Sequence, residues 1–312
     1  AQLARHSTHQ LSRVAGLLAK EGTPAGETET GGRTGPGPAS ETMKTSMNHR
    51  QASLGLTLRP VLPFRLDLTV WALRRRSRNL IDRWDGTTYR RVIVLGGRPT
   101  ELAVRQAGSS ATLKLSVTAT PQPRTLLEKR RVRSVVDRLL GLRIDLTGWY
   151  DMAAGDARLR PIAETFRGMK PPRFPTMFEA LANAFACQQL SLEVGLELLN
   201  RLAKISGARL DSRGDVRYAF PTPQDIARLP PEKYQAIGFS HQKVRALVGL
   251  ASKVIGGERD LELLQQENDA VAQQHLLELR GVGRWTAEYV LLRGLGRLHV
   301  FPGDDVGAQK RL

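Results

Sequence analysis

The hydrophobic period of this chain changes once, and that change restricts the folds open to it. Between Tyr89 and Ala119 the segments YRRVIVL, TELAVRQ and ATLKLSVTA alternate apolar and polar residues, with Gly-Gly and Gly-Ser-Ser between them. A period of two broken by such residues predicts strands joined by tight turns, hence an antiparallel sheet. Beyond Leu142 helix punctuation replaces the strand signals. FPTMFEALANAFACQQLSLEVGLELLNRLAKISG predicts one long or two abutting helices ending near Gly207. In FPTPQDIARL, Thr222 is placed to cap a helix, with Pro223 at its first position and Asp225 three residues after the cap. SHQKVRALVGLASKVIGG predicts a further helix stopped by Gly256 and Gly257. Ahead of the sheet, LTVWALRRRSRNLIDRW reads as an Arg-rich helix. After it, Leu126, Val132, Val135, Val136, Leu139 and Leu140 keep helical spacing up to Gly141. The expected architecture is α+β: an N-terminal α+β domain with an antiparallel sheet over residues 53–145, then an all-helical domain over 146–312.

Residues 1–52 are expected to form a disordered tail, because their Gly, Thr, Ser and Pro content leaves few apolar side chains to offset ordering. Forty-seven basic against thirty acidic residues give a formal charge of +17, so the field of the molecule attracts a polyanion, and nucleic acid is the leading candidate. No apolar run approaches the roughly 20 residues of a spanning helix, and the N-terminus lacks the apolar core of a signal peptide. No membrane association is expected, and the expected location is the cytoplasm, at the nucleoid in a prokaryote. A single cysteine, Cys187, excludes an internal disulfide, and its apolar setting in LANAFAC favours a buried, inert thiol. None of the six histidines pairs with another His or the Cys at zinc-site spacing on one helix or hairpin.

LRGVGRWTAEYV, Leu279 to Val290, sets Gly281 and Gly283 between two helical patterns. Glycine accepts the backbone angles of a short interhelical turn and leaves its amides bare. With a helix starting there, free N–H groups and the positive end of its dipole suit a phosphate, and Arg284 adds charge. A plain helix-turn-helix corner that merely packs is equally open on these glycines alone. Trp285 and Tyr289 are four apart and share a helix face; an isolated Trp in a helix is more often core. Asp304 and Asp305 follow a Pro-Gly turn, where an aspartate is most often an N-cap.

Taken together, HLLELRGVGRWTAEYVLLRGLGR and HVFPGDD resemble the helix-hairpin-helix (HhH-GPD) DNA glycosylase superfamily, and within it the DNA-3-methyladenine glycosylase II family of alkylated-base enzymes. The likeness runs over most of residues 60–312, through the LPF entry, the basic β-domain, FEALANAFACQQLS and FPTPQDIA, in that order. The resemblance implies that Asp305 is the catalytic carboxylate and that Asp304 is a cap or loop acceptor. It implies a base pocket walled by Trp285 and Tyr289, with Gln188 beside it and Trp71 as an aromatic from the N-terminal domain. Gly281, Gly283, Arg284 and Thr286 would contact DNA, and Gln189 would occupy, with Gln188, the place that probes the target and fills the gap left by the flipped base. Main-chain carbonyls of Leu277, Leu279 and Val282 would hold a structural Na or K ion; no other cofactor is expected. The implied partner is double-stranded DNA containing damaged bases, bound by a monomer.

The superfamily's bifunctional branch carries a Schiff-base lysine just before the motif's Thr. Trp285 stands there, so hydrolysis to an abasic site without strand cleavage is expected. The resemblance also implies helices beyond the aspartate, and this chain ends seven residues after Asp305, so those closing helices are expected to be missing. Two other readings stay open: a non-catalytic helix-hairpin-helix DNA-binding protein or fragment, and a glycosylase for another damaged base.

Overall fold

The computed structural model describes residues 54–109, 112–212 and 214–309, all within one compact unit, residues 51–312. The expected tail, residues 1–52, lies outside the described residues. The period-two segments form β3 (Thr88–Leu95), β4 (Arg98–Ala107) and β5 (Lys114–Thr120). They join β1 (Leu54–Leu58) and the short β2 (Arg83–Trp84) in an antiparallel sheet of order β1-β5-β4-β3-β2. Tyr89 pairs with Val104, which in turn pairs with Val117, so one apolar face runs across three strands. Two helices cover that face. They are α1 (Leu66–Arg74) and α2 (Leu126–Leu140), the latter capped by the Thr125 side chain and ended by left-handed Gly141.

The Arg-rich segment departs from its expected single helix. α1 ends at Arg75, which holds φ +65°, and residues 75–82 become a loop. Side chains from the helical half hold that loop. Asn200 accepts from the Leu80 amide at 3.0 Å and donates to the Arg78 carbonyl at 2.9 Å.

After the short α3 (Thr147–Ala154) and α4 (Leu159–Thr165) come α5 (Met177–Cys187) and α6 (Leu192–Ser206), the two abutting helices. Thr222 and Asp225 form a reciprocal capping box at α7 (Pro223–Ala227). α8 (Pro231–Ala236), α9 (His241–Ile255), a 3-10 turn (Leu261–Gln266), α10 (Asp269–Leu277) and α11 (Arg284–Val290) follow, with a π turn at Leu291–Leu295 and α12 at Val306–Gln309. Their buried residues, from Phe174 to Leu295, make a second core, to which Ile81 of the loop contributes. The sequence predicts a wholly helical second half, and the structure corrects this. β6 (Arg209–Ser212) and β7 (Asp215–Tyr218) form a hairpin, and Val92 of β3 bridges to Ala219 just after it. The segment RLDSRGDVRY carries charges on both sides of a Gly turn, which hides its strand character from a reading based on apolar period.

One side chain ties the sheet to the helices. Arg91, 1% exposed on β3, donates to Asp82 at 2.8 Å and to Glu179 of α5, and Tyr89 donates to the same Asp82 oxygen at 2.7 Å. Burial opposes the charge on Arg91, but Glu179 and Asp82 together hold its pKa well above the ordinary arginine value. Burial raises the Glu179 carboxyl above its usual range against the pull of Arg91. Arg91→Met leaves two buried carboxylates unpaired, so urea unfolding should show a loss of about 3–5 kcal/mol.

Candidate functional site

The site is assembled where the C-terminus of α5, the N-terminus of α9 and the α10–α11 hairpin meet. Gly281 takes φ +81°, and a Cβ there would meet Ala246 Cβ of α9 at 2.8 Å and Phe185 Cε1 of α5 at 3.7 Å. Both the turn and the close approach require glycine. Gly283 differs: at φ −101°, ψ −178° it lies in the extended region, and a Cβ would meet nothing within 4 Å. It precedes α11 without a side-chain cap, so the amides of the first turn keep no intrahelical partner.

The hairpin is locked from behind. Gln188 Nε2 donates to the Gly281 carbonyl at 2.8 Å and to Thr286 Oγ1 at 2.7 Å. Lys243 Nζ, on α9, donates to the carbonyls of Ala186 and Gln188 at 3.1 and 2.8 Å. Gln188 thus faces the hairpin, and the buried Thr286 hydroxyl is engaged inside the protein. Beyond this lock the chain turns through Gln189, an exposed residue at φ +57°, to the 42% exposed Leu190. Arg284 projects from the first turn of α11, bonded to Glu288 at 2.9 Å and 3.9 Å from Asp304.

Trp285 and Tyr289 stack with ring centroids 5.3 Å apart and planes 18° from parallel. Trp285 Nε1 donates to Asp305 Oδ2 at 3.0 Å, which brings residues twenty apart into one site. Asp305 itself opens α12: its amide donates to Pro302 and its carbonyl accepts from Gln309. The indole therefore has one face for stacking and an edge that orients a carboxylate. Behind the stack lies Phe174, 6.2 Å from the Tyr289 ring. The guanidiniums of Arg75 and Arg293 sit over Phe174 at 5.9 and 5.5 Å. Arg75 also donates to Asn183 Oδ1 at 2.8 Å and reaches the Tyr289 hydroxyl at 3.5 Å. Burial raises the Tyr289 pKa against both arginines; burial, with Arg75 nearby, lowers that of Arg293.

Trp71 does not join this group. Its ring stacks on Phe166 at 5.8 Å, and it stays 41% exposed. The N-terminal half instead sends Arg75 from the end of the same helix. Phe174, Arg75 and Arg293 were not singled out from the sequence. Nothing local marks them, since each acquires its role from residues far away in the chain. The main-chain carbonyls of Leu277, Leu279 and Val282 belong to the hairpin, and that of Leu279 accepts the Val282 amide at 3.1 Å. Among the described residues no group of three or more His, Cys, Asp or Glu is placed to hold a metal, so a cation here would rest on carbonyls alone. No helix among the described residues is long and apolar enough to cross a membrane.

Residues 182–312 match the family model of the HhH-GPD superfamily of base excision DNA repair proteins. The DNA-3-methyladenine glycosylase of Bacillus subtilis is 35% identical over 163 residues, 52% of this chain and 54% of its own length. DNA-3-methyladenine glycosylase 2 of Escherichia coli is 31% identical over 144 residues, 46% of this chain and 50% of its own. The chain thus spans about half the length of these relatives. Among solved structures, a 3-methyladenine DNA glycosylase from Archaeoglobus fulgidus aligns with TM-score 0.70 at 27% identity, covering 83% of this chain and 86% of that one. An 8-oxoguanine glycosylase/lyase of Clostridium acetobutylicum shares the fold, with TM-score 0.63 at 17% identity, over 82% of this chain and 83% of its own.

The two hairpin glycines should respond differently to a methyl group. Gly281→Ala should destabilise the protein by more than about 1 kcal/mol, from positive φ and the Ala246 contact. Gly283→Ala should stay within about 0.5 kcal/mol in the same thermal-unfolding measurement.

Proposed function

We propose that this chain, a member of the HhH-GPD superfamily, is a monofunctional DNA glycosylase that excises alkylated bases of the 3-methyladenine and 7-methylguanine type from double-stranded DNA. The observation that carries this reading is the hydrogen bond from the stacked Trp285 to Asp305, beside a hairpin with uncapped amides. In this reading the hairpin amides receive a phosphate of the damaged strand. A monovalent cation on the carbonyls of Leu277, Leu279 and Val282 would add positive charge facing that phosphate. The damaged base leaves the duplex stack, at a cost of a few kcal/mol, and meets the Trp285–Tyr289 wall. An electron-rich aromatic face attracts a cationic ring, so an N-alkylated purine is favoured over its normal counterpart.

A single carboxylate suffices for such a substrate. Ordinary glycoside hydrolysis needs an acid to help the leaving oxygen depart, whereas an N-alkylated purine already carries positive charge and departs as a neutral base. Asp305, oriented by the indole N–H, stabilises the oxocarbenium-like sugar and assists water. No amine occupies position 285, so no Schiff base forms and the strand stays intact.

The test is release of methylated bases from alkylated duplex DNA. Asp305→Asn should lose about 10²–10³-fold in rate. Trp285→Phe, which keeps an apolar ring and removes the N–H donor, should lose less. Equal release by Asp305→Asn and the parent protein defeats the assignment of the carboxylate, and duplex binding with no release by the parent leaves a binding protein. For the second half of the proposal, the product should be cut by alkali and not by the protein. Borohydride added during the reaction should trap no protein–DNA adduct.

A further inference from the structure

A second concentration of positive charge lies away from the hairpin, where α2 meets the segment leading into α5. Arg130, Arg133, Ser134 and Asp137 of α2 follow one another at spacings of three, one and three, so they occupy one stripe of the helix. With Arg138 and Arg173 they line an open cleft of about 290 Å³. Four arginines and Asp137 contribute to this lining, and Asp137 is also 3.5 Å from Arg143.

The fold forces this crowding. Arg138 is held by the carbonyls of Phe174 and Gly294, at 2.8 and 2.9 Å, and by Glu262 at 2.9 Å. Arg173 is held by the Leu295 carbonyl at 3.0 Å. Both guanidiniums thus satisfy carbonyls at the C-terminal end of the π turn that extends α11, and this places them side by side. Burial, and then the charge of Arg138, push the Arg173 pKa below the ordinary arginine value. The buried Nε of Arg173 has no acceptor. Arg130 and Arg133 are exposed, and no described carboxylate lies within ion-pair distance of either.

A solvated basic helix face is the ordinary outcome for such a sequence. It does not account for two arginines fixed by the backbone with their like charges together. We infer that this cleft is a phosphate-binding site separate from the hairpin. A phosphate group would offset the positive charge gathered there, and guanidinium forks match it geometrically. The phosphate could come from a nucleic-acid backbone or from a free phosphate or phosphorylated small molecule.

The double variant Arg130→Gln/Arg133→Gln tests this on the whole chain, since both positions are exposed and Gln keeps helix propensity close to that of Arg. Inorganic phosphate should raise the unfolding midpoint of the parent protein more than chloride of equal ionic strength does, and this difference should fall in the variant. A phosphate-over-chloride difference that is the same in both proteins overturns the proposal. The second arm separates the sources through binding to a short undamaged duplex at several salt concentrations. A slope of log K against log salt that is shallower by about one in the variant identifies a DNA phosphate. An unchanged slope, with the phosphate effect lost, identifies a free phosphate or phosphorylated small molecule.

Discussion

A buried charge cluster sets the position of everything that follows in this fold. Arg91 leaves the sheet with its guanidinium out of water, and its cost is offset because Asp82 and Glu179 both accept from it. Such a group is intolerant of rearrangement: separating sheet and helices would strand one or more charges in a poorly solvated place. The arginine comes from β3, Asp82 from the loop after α1, and Glu179 from the first turn of α5, so three segments are fixed at one point. A hydrophobic contact would hold them together but would set their relative positions less sharply, because apolar attraction is not directional.

From that point α5 carries the geometry to the site. Glu179, Asn183 and Cys187 are spaced by four and share a face. Glu179 engages Arg91, while Asn183 accepts from Arg75, which in turn reaches Tyr289. The helix ends in Gln188, whose amide bridges to both sides of the hairpin turn. The left-handed Gln189 follows at once, so the exposed Gln189–Leu190 turn is held at a set distance from the glycines. Positive φ at Arg75 and Gln189 costs each residue stability. Both strained residues lie beside the site, at the ends of the two helices that reach it.

Much of this was legible in the chain. Strand period, the Thr222 cap and the Gly141 stop each express energies that act within a turn or two, and these elements occur where the pattern puts them. The motif also brought Trp285, Tyr289 and Asp305 to notice, and the structure unites them in one site. Other side chains took different partners. Gln188 and Thr286 bond to each other, and Trp71 lies on Phe166. A polar or aromatic side chain on a helix end has several possible neighbours, and its choice depends on elements that local pattern does not place. The β6–β7 hairpin escaped notice for a related reason: it is stabilised by pairing and by Arg217 bonding to Glu101 of the sheet rather than by an apolar face.

The sequence by itself determined most of the element types, the glycine-bearing hairpin, the excess of positive charge and a Trp rather than a Lys ahead of Thr286. Those features follow from backbone sterics, hydrophobic period and residue identity, none of which needs a partner distant in the chain. Tertiary structure alone decided that Arg91 is buried, that Arg75 rather than Trp71 reaches the aromatic pair, and that four arginines share a cleft. Arg75 and Tyr289 are 214 residues apart, and long cationic side chains find such partners only after the two cores have packed. Charge placement therefore depends on the whole fold, whereas most of the elements are decided locally.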